Sequence, residues 1–274
     1  MPRPWARKLW RAIIEFGLIK PGDRVLVGLS GGKDSTFLLF ALAAIRRYSA
    51  FTWDLGAATL EPGFAEPLPE EPLAAFCRSL GVPFYYEKAH IGQVLLAAPA
   101  ATRSGGENAC ALCAHLRRGA LSRLAVAHGY NRLALAHHRD DAIETLLLSL
   151  FYSGLIKTFL PLTPHERSGI TVIRPLVYFT EAEIKGAVKL TGFTPIASPC
   201  PFNGRTQRQR VKELWHQLVR ENRSVYTNLF AALRRDAVQE LWPPEPSRRQ
   251  LRELHRQLFQ GDGGPPGSGP EPAE

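Results

Sequence analysis

The segment VLVGLSGGKDSTFLLFAL, Val25–Leu42, changes from an apolar strand pattern to a helical pattern at one glycine-rich turn. The two glycines let the backbone turn tightly and come close to a ligand. Amides from Lys33 onward would point out of the N-terminus of the new helix, and the hydroxyls of Ser30 and Ser35 add hydrogen-bond donors. Since the Lys33 ammonium can meet a phosphate as a point charge, the segment predicts an anion-binding turn.

The turn matches neither of the two most common nucleotide-binding motifs. A Walker loop reads G-x-x-x-x-G-K-S/T, but Gly28 stands one residue too close, and Asp34 occupies the place of the magnesium-binding hydroxyl residue. The pattern G-x-G-x-x-G is not satisfied either. The structural alternative is a glycine-rich strand-to-helix turn with Asp34 as an N-terminal cap.

Short apolar strand patterns alternate with helical patterns along most of the chain. This alternation predicts parallel β-α units with helices on both faces of one sheet, which is an α/β fold. In such sheets the ligand lies beyond the carboxyl ends of the strands. The predicted strands are Arg24–Leu29, Trp53–Leu60, Val82–Glu87, Arg132–Ala136 and Thr171–Arg174, and the predicted helices are Lys33–Arg47, Glu70–Leu80, His115–His128, Asp141–Phe151 and Glu181–Leu190.

The composition fits a folded protein without membrane contact. With 274 residues, of which 45% are hydrophobic, the chain can bury a proper core. Its apolar runs fall short of the roughly 20 residues that a membrane-spanning helix needs, and the start MPRPWARKLW lacks the apolar stretch of a signal peptide. We therefore expect a cytoplasmic location.

Positive charge is concentrated towards the C-terminus. The formal net charge is +9, and Arg205–Arg256 holds twelve Lys/Arg against six Asp/Glu. A basic surface attracts a phosphate backbone through counterion release, so a nucleic-acid partner is a hypothesis. Trp215 and Tyr226 lie among these basic residues and suit unstacked RNA bases, although a core position fits Trp215 equally well.

Three of the four cysteines lie just before helical patterns. Cys110 and Cys113 form a C-x-x-C pair, and Cys200 precedes a basic helix. Three thiolates fit an iron–sulfur cluster with one open iron, but a zinc site completed by His115 and a redox disulfide stay open as alternatives. Cys77 lies in an apolar helical pattern, which is typical of a core residue.

The order of the motifs resembles one family. SGGKDS is followed by PGF, C-x-x-C-x-x-x-RRG, HHRDD-x-x-E-T, RPL and Cys-Pro, across Asp23–Leu233. SGGKDS is similar to the PP-loop of the ATP pyrophosphatases, and the full order resembles the tRNA 2-thiocytidine synthetases of the TtcA type. The tRNA-Ile lysidine synthetases share the loop but not the cysteines. Thermophilic 2-thiouridine synthetases share both but usually carry terminal zinc-finger motifs, which this sequence does not show.

The resemblance implies a parallel-sheet PP-loop domain, adenine nucleotide alpha hydrolase-like and Rossmann-like, with a basic helical C-terminal extension. Asp141, with Asp140 beside it, would bind Mg²⁺ or help to activate the base; N-capping is the structural alternative. Lys33 and the three cysteines would also take part in catalysis. ATP would be bound by Ser30, Gly31, Gly32, Lys33, Asp34 and Ser35, and a [4Fe-4S] cluster by Cys110, Cys113 and Cys200.

The implied reaction is ATP-dependent thiolation of tRNA, with cytidine 32 of the anticodon loop as the expected target. The C2 carbonyl oxygen of the base attacks the α-phosphorus of ATP, and sulfur then displaces AMP. The implied partners are tRNA and a sulfur donor, either sulfide or a persulfide from a cysteine desulfurase. The oligomeric state stays open, with a homodimer as one option.

Three other functions remain as alternatives. The first is 2-thiouridine formation, because no residue visibly distinguishes cytosine from uracil. The second is a lysidine-type ligation, which leaves the cysteines without a task. The third is a non-enzymatic RNA-binding protein with a structural zinc site, which leaves SGGKDS unexplained. Arg117, Arg118 and Arg174 could each meet phosphate or RNA, or simply be structural or solvated.

Four segments are expected along the chain. They are a helical N-terminal segment at residues 1–22, a PP-loop ATP-binding domain with the iron–sulfur site at 23–200, a basic helical region at 201–260 and a disordered tail at 261–274.

Overall fold

A computed structural model describes most of the chain and divides it into two compact units, Met1–Arg234 and Arg235–Glu274. The predicted tail at 261–274 lies outside the described residues. In the second unit, residues 248–250 and 252–253 are helical. The description covers residues 1–64, 66–97, 107–166, 168–200, 206–234, 247–250 and 252–253, without the side chains of residues 96 and 107–110.

The strands of the described residues form one sheet in the first unit. They are β1 (Arg24–Gly28), β2 (Asp54–Glu61), β3 (Phe84–Lys88), β4 (Arg132–Ala134), β5 (Leu162–His165) and β6 (Ile170–Ile173). The order across the sheet is β3-β2-β1-β4-β6-β5. All neighbours are parallel except β5, which pairs antiparallel with β6.

Helices follow most of the strands. They are α1 (Arg3–Phe16), α2 (Lys33–Arg46), α3 (Glu70–Leu80), α4 (Ile91–Ala97), α5 (Glu107–Ala127), α6 (Arg139–Ser153), α7 (Glu181–Ala187), α8 (Gln207–Glu221) and α9 (Ser224–Ala232), with a 3₁₀ turn at Val188–Thr191 after α7. No helix within the described ranges is both long enough and apolar enough to cross a bilayer.

Strand β1 is buried on both faces because helices cover the sheet from both sides. Val25 and Val27 belong to the core cluster that contains Phe37 of α2. Leu26 belongs to the opposite cluster, which contains Leu121 of α5. This two-sided burial explains why the strand reads as a continuous apolar run. It also fixes the turn after β1 at the carboxyl edge of the sheet.

The predicted α/β architecture with a parallel sheet is confirmed. The prediction missed β5, a short edge strand whose Pro164 is tolerated because an edge strand needs fewer backbone donors. It also missed α4. Helix α5 begins at Glu107, well before the predicted start at His115, so the C-x-x-C pair lies within the helix and not before it.

Helices α8 and α9 pack against α6. Val211 and Trp215 of α8 form a buried cluster with Ile143 of α6, and Trp215 is 3% exposed. The ring of Tyr226 stacks on Trp215 with 5.8 Å between centroids. The interpretation of Trp215 as a residue that stacks on RNA bases is therefore wrong, because its ring is part of the core.

Candidate active site

A cleft of about 580 Å³ opens at the carboxyl ends of β1 and β4 and beside the end of β6. This is the edge at which parallel sheets bind their ligands. Its lining includes Ser30, Gly32, Asp34 and Ser35 from the glycine-rich turn, and Arg117, Arg118, His137, Asp141, Thr145, Arg174 and Arg208 from the other walls.

The glycine-rich turn, Ser30–Ser35, is held in shape by its own hydroxyls. Ser35 Oγ accepts a hydrogen bond from Ser30 N at 3.1 Å and donates to Gly32 O at 3.0 Å. Gly31 has φ +76°, and a Cβ there would lie 3.0 Å from Ile196 Cδ1. Glycine is therefore required at this position. The first amides of α2 have no partner within the helix and are available to an anion.

Lys33 is not among the residues that line the cleft. Its Nζ donates to both carboxylate oxygens of Asp34, at 2.8 and 3.0 Å, and lies 3.3 Å from Glu181 Oε1. Burial acts to lower the pKa of Lys33, but the carboxylates of Asp34 and Glu181 outweigh it and raise that pKa above its ordinary value. Lys33 is therefore a fixed positive charge behind the turn.

His138 is the N-cap of α6 and joins two carboxylates of the cleft. Its Nδ1 accepts from Asp141 N at 3.4 Å, and Asp141 Oδ2 accepts from His138 N at 2.9 Å, which is a reciprocal capping box. Its Nε2 lies 3.4 Å from Asp141 Oδ2 and 3.8 Å from Asp34 Oδ1. The imidazole nitrogen thus lies within 4 Å of the carboxylates of both Asp34 and Asp141, two residues that line the cleft.

The two predicted aspartates of this motif differ in position. Asp140 is 4% exposed, and its Oδ2 accepts a hydrogen bond from Glu181 N at the start of α7. A carboxylate there stabilises the N-terminus of that helix. Asp141 lines the cleft. Of this pair, Asp141 has the position that contact with a ligand requires.

His137 and Arg174 form a hydrogen-bonded pair after β4 and β6. Arg174 Nε donates to His137 Nδ1 at 3.3 Å, and its Nη1 donates to Thr163 Oγ1 at 3.0 Å. The Phe159 ring lies 5.1 Å from the imidazole and 4.9 Å from the guanidinium. Because Nδ1 accepts a hydrogen bond, neutral His137 carries its proton on Nε2.

Burial is the main cause of the pKa shifts of His137 and Arg174. Burial lowers the pKa of His137 to about 4; the Asp141 carboxylate opposes the change, and the guanidinium groups of Arg174, Arg208 and Arg118 add to it. Burial also lowers the pKa of Arg174 to about 10, with a smaller contribution from Arg118. At neutral pH, His137 is therefore neutral and Arg174 is charged.

Arg208 connects α8 to the cleft. Its Nη1 donates to Glu144 Oε2 at 3.0 Å, and its Nη2 donates to Thr145 Oγ1 at 3.3 Å. Asp141 Oδ1 lies 3.8 Å from the same guanidinium. Burial raises the pKa of Glu144, the Asp141 carboxylate adds to that rise, and Arg208 opposes it. A residue of the predicted basic helix is thus part of the cleft wall.

The two cysteine-bearing segments are each connected to the cleft. Cys113 is half-buried on α5, the helix that also supplies Arg117 to the cleft. Cys200 is half-buried in the segment after Ile196, whose N–H donates to Gly31 O at 2.9 Å. The backbone leading to Cys200 is therefore hydrogen-bonded directly to the glycine-rich turn.

The two remaining cysteines, Cys110 and Cys77, lie on α5 and α3. The backbone of Cys110 lies on α5, three residues before Cys113, and its side chain is outside the described part. Among the side chains that the structure describes, no group of three His, Cys, Asp or Glu could hold a metal ion. Cys77 is fully buried, and burial raises its pKa to about 12, so its assignment to the core is confirmed.

Sequence reasoning missed one residue of this network and undervalued another. Glu181 was not singled out, although the TEAE pattern at the start of α7 is a capping-box signal that fixes its place. The sequence shows His137 only as part of a polar motif, because its hydrogen bond to Arg174 joins two segments that follow different strands.

Comparison with known proteins gives consistent matches. The family described as "PP-loop domain" matches residues 4–218. The tRNA-cytidine(32) 2-sulfurtransferase of Geobacter metallireducens is 40% identical over 225 residues, which cover 81% of this chain and 86% of that protein. The protein of the same name from Anaeromyxobacter dehalogenans is 38% identical over 271 residues, covering 95% of this chain and 87% of the relative.

One solved structure shares the fold over most of its length. It is the U34-tRNA thiolase NcsA from Methanococcus maripaludis with its [4Fe-4S] cluster, which superposes with a TM-score of 0.63 at 19% identity. The match covers 88% of this chain and 80% of that one. At this identity the likeness concerns the fold.

Proposed function

Since the chain belongs to the tRNA-cytidine(32) 2-sulfurtransferases of the PP-loop family, it is a tRNA sulfurtransferase, and we propose that it uses ATP to replace the C2 oxygen of cytidine 32 with sulfur. The observation that carries the proposal is the identity of 40% over 81% of the chain. The cleft at the glycine-rich turn supplies the groups that this chemistry needs.

ATP would lie along the edge of the sheet with its phosphates at Ser30–Ser35. The hydroxyls and the first amides of α2 would stabilise the charge that develops on pyrophosphate as it leaves. Lys33, held behind the turn by Asp34 and Glu181, would add a positive potential without entering the cleft. The side towards β2 is apolar and suits the adenine, with Gly28, Leu29, Ala58, Leu60 and Leu121.

Magnesium would be held by Asp34 and Asp141. Both carboxylates line the cleft, and an oxygen of each lies within 3.8 Å of His138 Nε2. Mg²⁺ is usually bound by one or two carboxylates together with phosphate oxygens and water. These two side chains therefore fit a metal ion that arrives with the nucleotide.

A [4Fe-4S] cluster would be held by Cys110, Cys113 and Cys200. Thiolates are its usual ligands, and three of them leave one iron open. Two observations support this fit. Cys113 lies on the helix that supplies Arg117 to the cleft. Ile196, which precedes Cys200 in the chain, donates a backbone hydrogen bond to Gly31 of the glycine-rich turn. When bound, the cluster would supply a sulfide at its open iron.

The reaction balances in two displacements. The C2 carbonyl oxygen forms a bond to the α-phosphorus of ATP, and the bond to the β-phosphate breaks, so that pyrophosphate leaves with the electron pair. Hydrosulfide then adds to C2, the C2–O bond breaks, AMP leaves with that electron pair, and the S–H proton passes to water. No oxidant or reductant is needed because the sulfur enters as sulfide. Adenylation makes the oxygen a good leaving group.

The direct test is in vitro thiolation under anaerobic conditions. Unmodified tRNA that carries cytidine 32 is incubated with the protein, ATP, Mg²⁺ and sulfide, and its nucleosides are analysed by mass spectrometry. We expect 2-thiocytidine, together with AMP and pyrophosphate in equal amounts. An ATP analogue with a methylene bridge between the α- and β-phosphates should give no product, since its α-β bond cannot break.

The matched control is the same tRNA with uridine at position 32. We expect little or no thiolation of this RNA. Sulfur found at a uridine of both RNAs would overturn the cytidine proposal in favour of 2-thiouridine formation. ATP cleavage without sulfur transfer under all conditions would favour a different adenylating enzyme.

A further inference from the structure

We propose that Arg117, Arg118 and Arg174 form a second anion subsite, separate from the glycine-rich turn, which binds the RNA phosphodiester next to the target nucleotide. The three side chains line the same cleft as Ser30–Ser35. The proposal rests on the proposed function, because it assigns an RNA substrate to this cleft. It concerns how the protein holds the nucleotide that is to be modified.

Among the side chains that the structure describes, no carboxylate neutralises the charge of these arginines. Arg208, on the same cleft, pairs with Glu144 at 3.0 Å. In the part of the chain that the structure describes, Arg117, Arg118 and Arg174 have no carboxylate partner within 4.0 Å. Unpaired guanidinium groups that face one cleft repel each other, and a bound anion removes that repulsion.

The hydrogen-bond acceptors of Arg118 and Arg174 add no negative charge. Arg118 Nε donates to Ala114 O at 3.2 Å, and Arg174 donates to His137 and Thr163, all of which are neutral acceptors. Arg118 also contributes to the lowering of the pKa of Arg174, which indicates that the two positive charges act on one another. Fork-shaped guanidinium groups suit phosphate oxygens better than a point charge does.

Arg174 follows a strand that is not adjacent to the strand before the glycine-rich turn. In the sheet order, β6 lies two strands away from β1, on the side opposite to β2. Two strand spacings correspond to roughly 10 Å. The apolar lining that suits adenine lies towards β2, at Ala58 and Leu60. A nucleotide bound with its phosphates at Ser30–Ser35 and its base towards β2 would therefore leave Arg174 to the second substrate.

The guanidinium of Arg174 is held in place by hydrogen bonds. Arg174 is 4% exposed, and its Nε and Nη1 are fixed by His137, Leu160 and Thr163. A guanidinium that is already ordered loses little conformational entropy when it binds phosphate. A base in a loop must be splayed out to be modified, and its flanking phosphates move with it. The subsite would hold one of these phosphates.

The experiment compares RNA binding and ATP binding in three variants. Arg117→Gln and Arg118→Gln remove one charge each from the subsite, and Arg123→Gln removes an exposed charge from the same helix. The affinity for an anticodon stem-loop RNA is measured from low to moderate salt, and the affinity for ATP is measured separately. We expect each subsite variant to weaken RNA binding about tenfold at low salt. The plot of log association constant against log salt concentration should become less steep by about 1 for each subsite variant. The slope for Arg123→Gln should equal that of the wild type.

A second arm distinguishes RNA phosphate from ATP phosphate. Stem-loop RNAs carry a neutral methylphosphonate at the phosphate on either side of the target cytidine. If the subsite binds one of these phosphates, one substitution should weaken binding to the wild type but have no further effect on Arg117→Gln. The proposal is overturned if Arg117→Gln and Arg118→Gln weaken ATP binding and leave the RNA slope intact, or if both methylphosphonates act additively with the variants.

These readouts are independent of turnover. If the wild type binds the RNA with the expected slope but never thiolates it, the proposed function fails while the subsite stands. If the wild type thiolates RNA and the variants change neither the slope nor the methylphosphonate effect, the subsite proposal fails while the function stands.

Discussion

At the scale of single residues, Asp140 and Asp141 are adjacent in sequence but face different parts of the molecule. Asp141 lines the cleft beside Asp34, and Asp140 accepts the N–H of Glu181. We expect Asp141→Asn to reduce the thiolation rate by about 100-fold or more, since it would weaken the proposed magnesium site. We expect Asp140→Asn to lower the free energy of unfolding by about 1–2 kcal/mol, because a charge-assisted helix cap is weakened.

Each aspartate variant is the control for the other. Single-turnover thiolation and urea unfolding are measured on both proteins. The assignment is contradicted if Asp140→Asn loses the activity at full stability, or if Asp141→Asn retains the wild-type rate at low Mg²⁺.

The half-buried imidazole of His137 gives a pH prediction. Its pKa falls to about 4 in the folded protein, below the usual value of 6.5. Between these values the unfolded chain takes up a proton that the folded protein does not. The resulting stability is fully present above pH 6.5 and is lost as the pH falls towards 4. The difference between the pKa of His137 in the folded protein and its usual value corresponds to about 3 kcal/mol of folding stability.

Urea unfolding between pH 7 and pH 4 tests this prediction on the wild type and on His137→Gln. Glutamine can still accept the hydrogen bond from Arg174 but does not titrate. The difference in stability between the two proteins should shrink as the pH falls. Parallel curves across the range would show that His137 does not titrate as described.

At the scale of elements, Glu181 links three helices. Its carboxylate, at the start of α7, lies 2.8 Å from Lys212 of α8 and 3.3 Å from Lys33 of α2. Burial acts to raise the pKa of Glu181, but the hydrogen bond and charge of Lys212, with Lys33 and Lys185, lower it to about 2. The stability that this group contributes is therefore present above pH 4.5 and lost as the pH falls towards 2.

We expect Glu181→Gln to lower the free energy of unfolding by about 2 kcal/mol at neutral pH. We also expect faster hydrogen exchange in α8, because Lys212 loses its partner. The matched control is Lys185→Gln, which removes an exposed partner of Glu181 within α7 and should cost at most about 0.5 kcal/mol. Equal exchange in α8 for wild type and Glu181→Gln would contradict this link.

The elements also show what the sequence could predict. The strand before Ser30 and the helix after it were predictable because the apolar run, the glycines and the helical period agree with one another. Strand β5 was not, since four residues at an edge carry almost no periodic signal. The different surroundings of Asp140 and Asp141 could not be predicted either. They depend on the position of the N-terminus of α7, whose first amide binds Asp140. The pairing of Lys33 with Glu181 has the same origin, as it joins residues far apart in the chain.

At the scale of the whole molecule, the three proposed cluster ligands come from two distant segments, so the cluster would depend on the complete first unit. We expect Cys200→Ala and Cys113→Ala to lose most of the iron and acid-labile sulfide of anaerobically purified protein, and to keep ATP binding. Cys77→Ala should keep the iron, because Cys77 is buried in the core. Metal analysis and nucleotide affinity test this set. Wild-type iron content in Cys200→Ala would contradict the three-thiolate assignment.

The central claim is that one cleft adenylates the base and then exchanges its oxygen for sulfur. It is tested most directly with tRNA that carries ¹⁸O at C2 of cytidine 32. After one turnover, AMP is examined by mass spectrometry. The account predicts one ¹⁸O atom in the phosphate of AMP for each 2-thiocytidine formed, because the C2–O bond breaks after the O–P bond has formed. Unlabelled AMP accompanying 2-thiocytidine would contradict it, since the oxygen would then have left without ever being bonded to phosphorus.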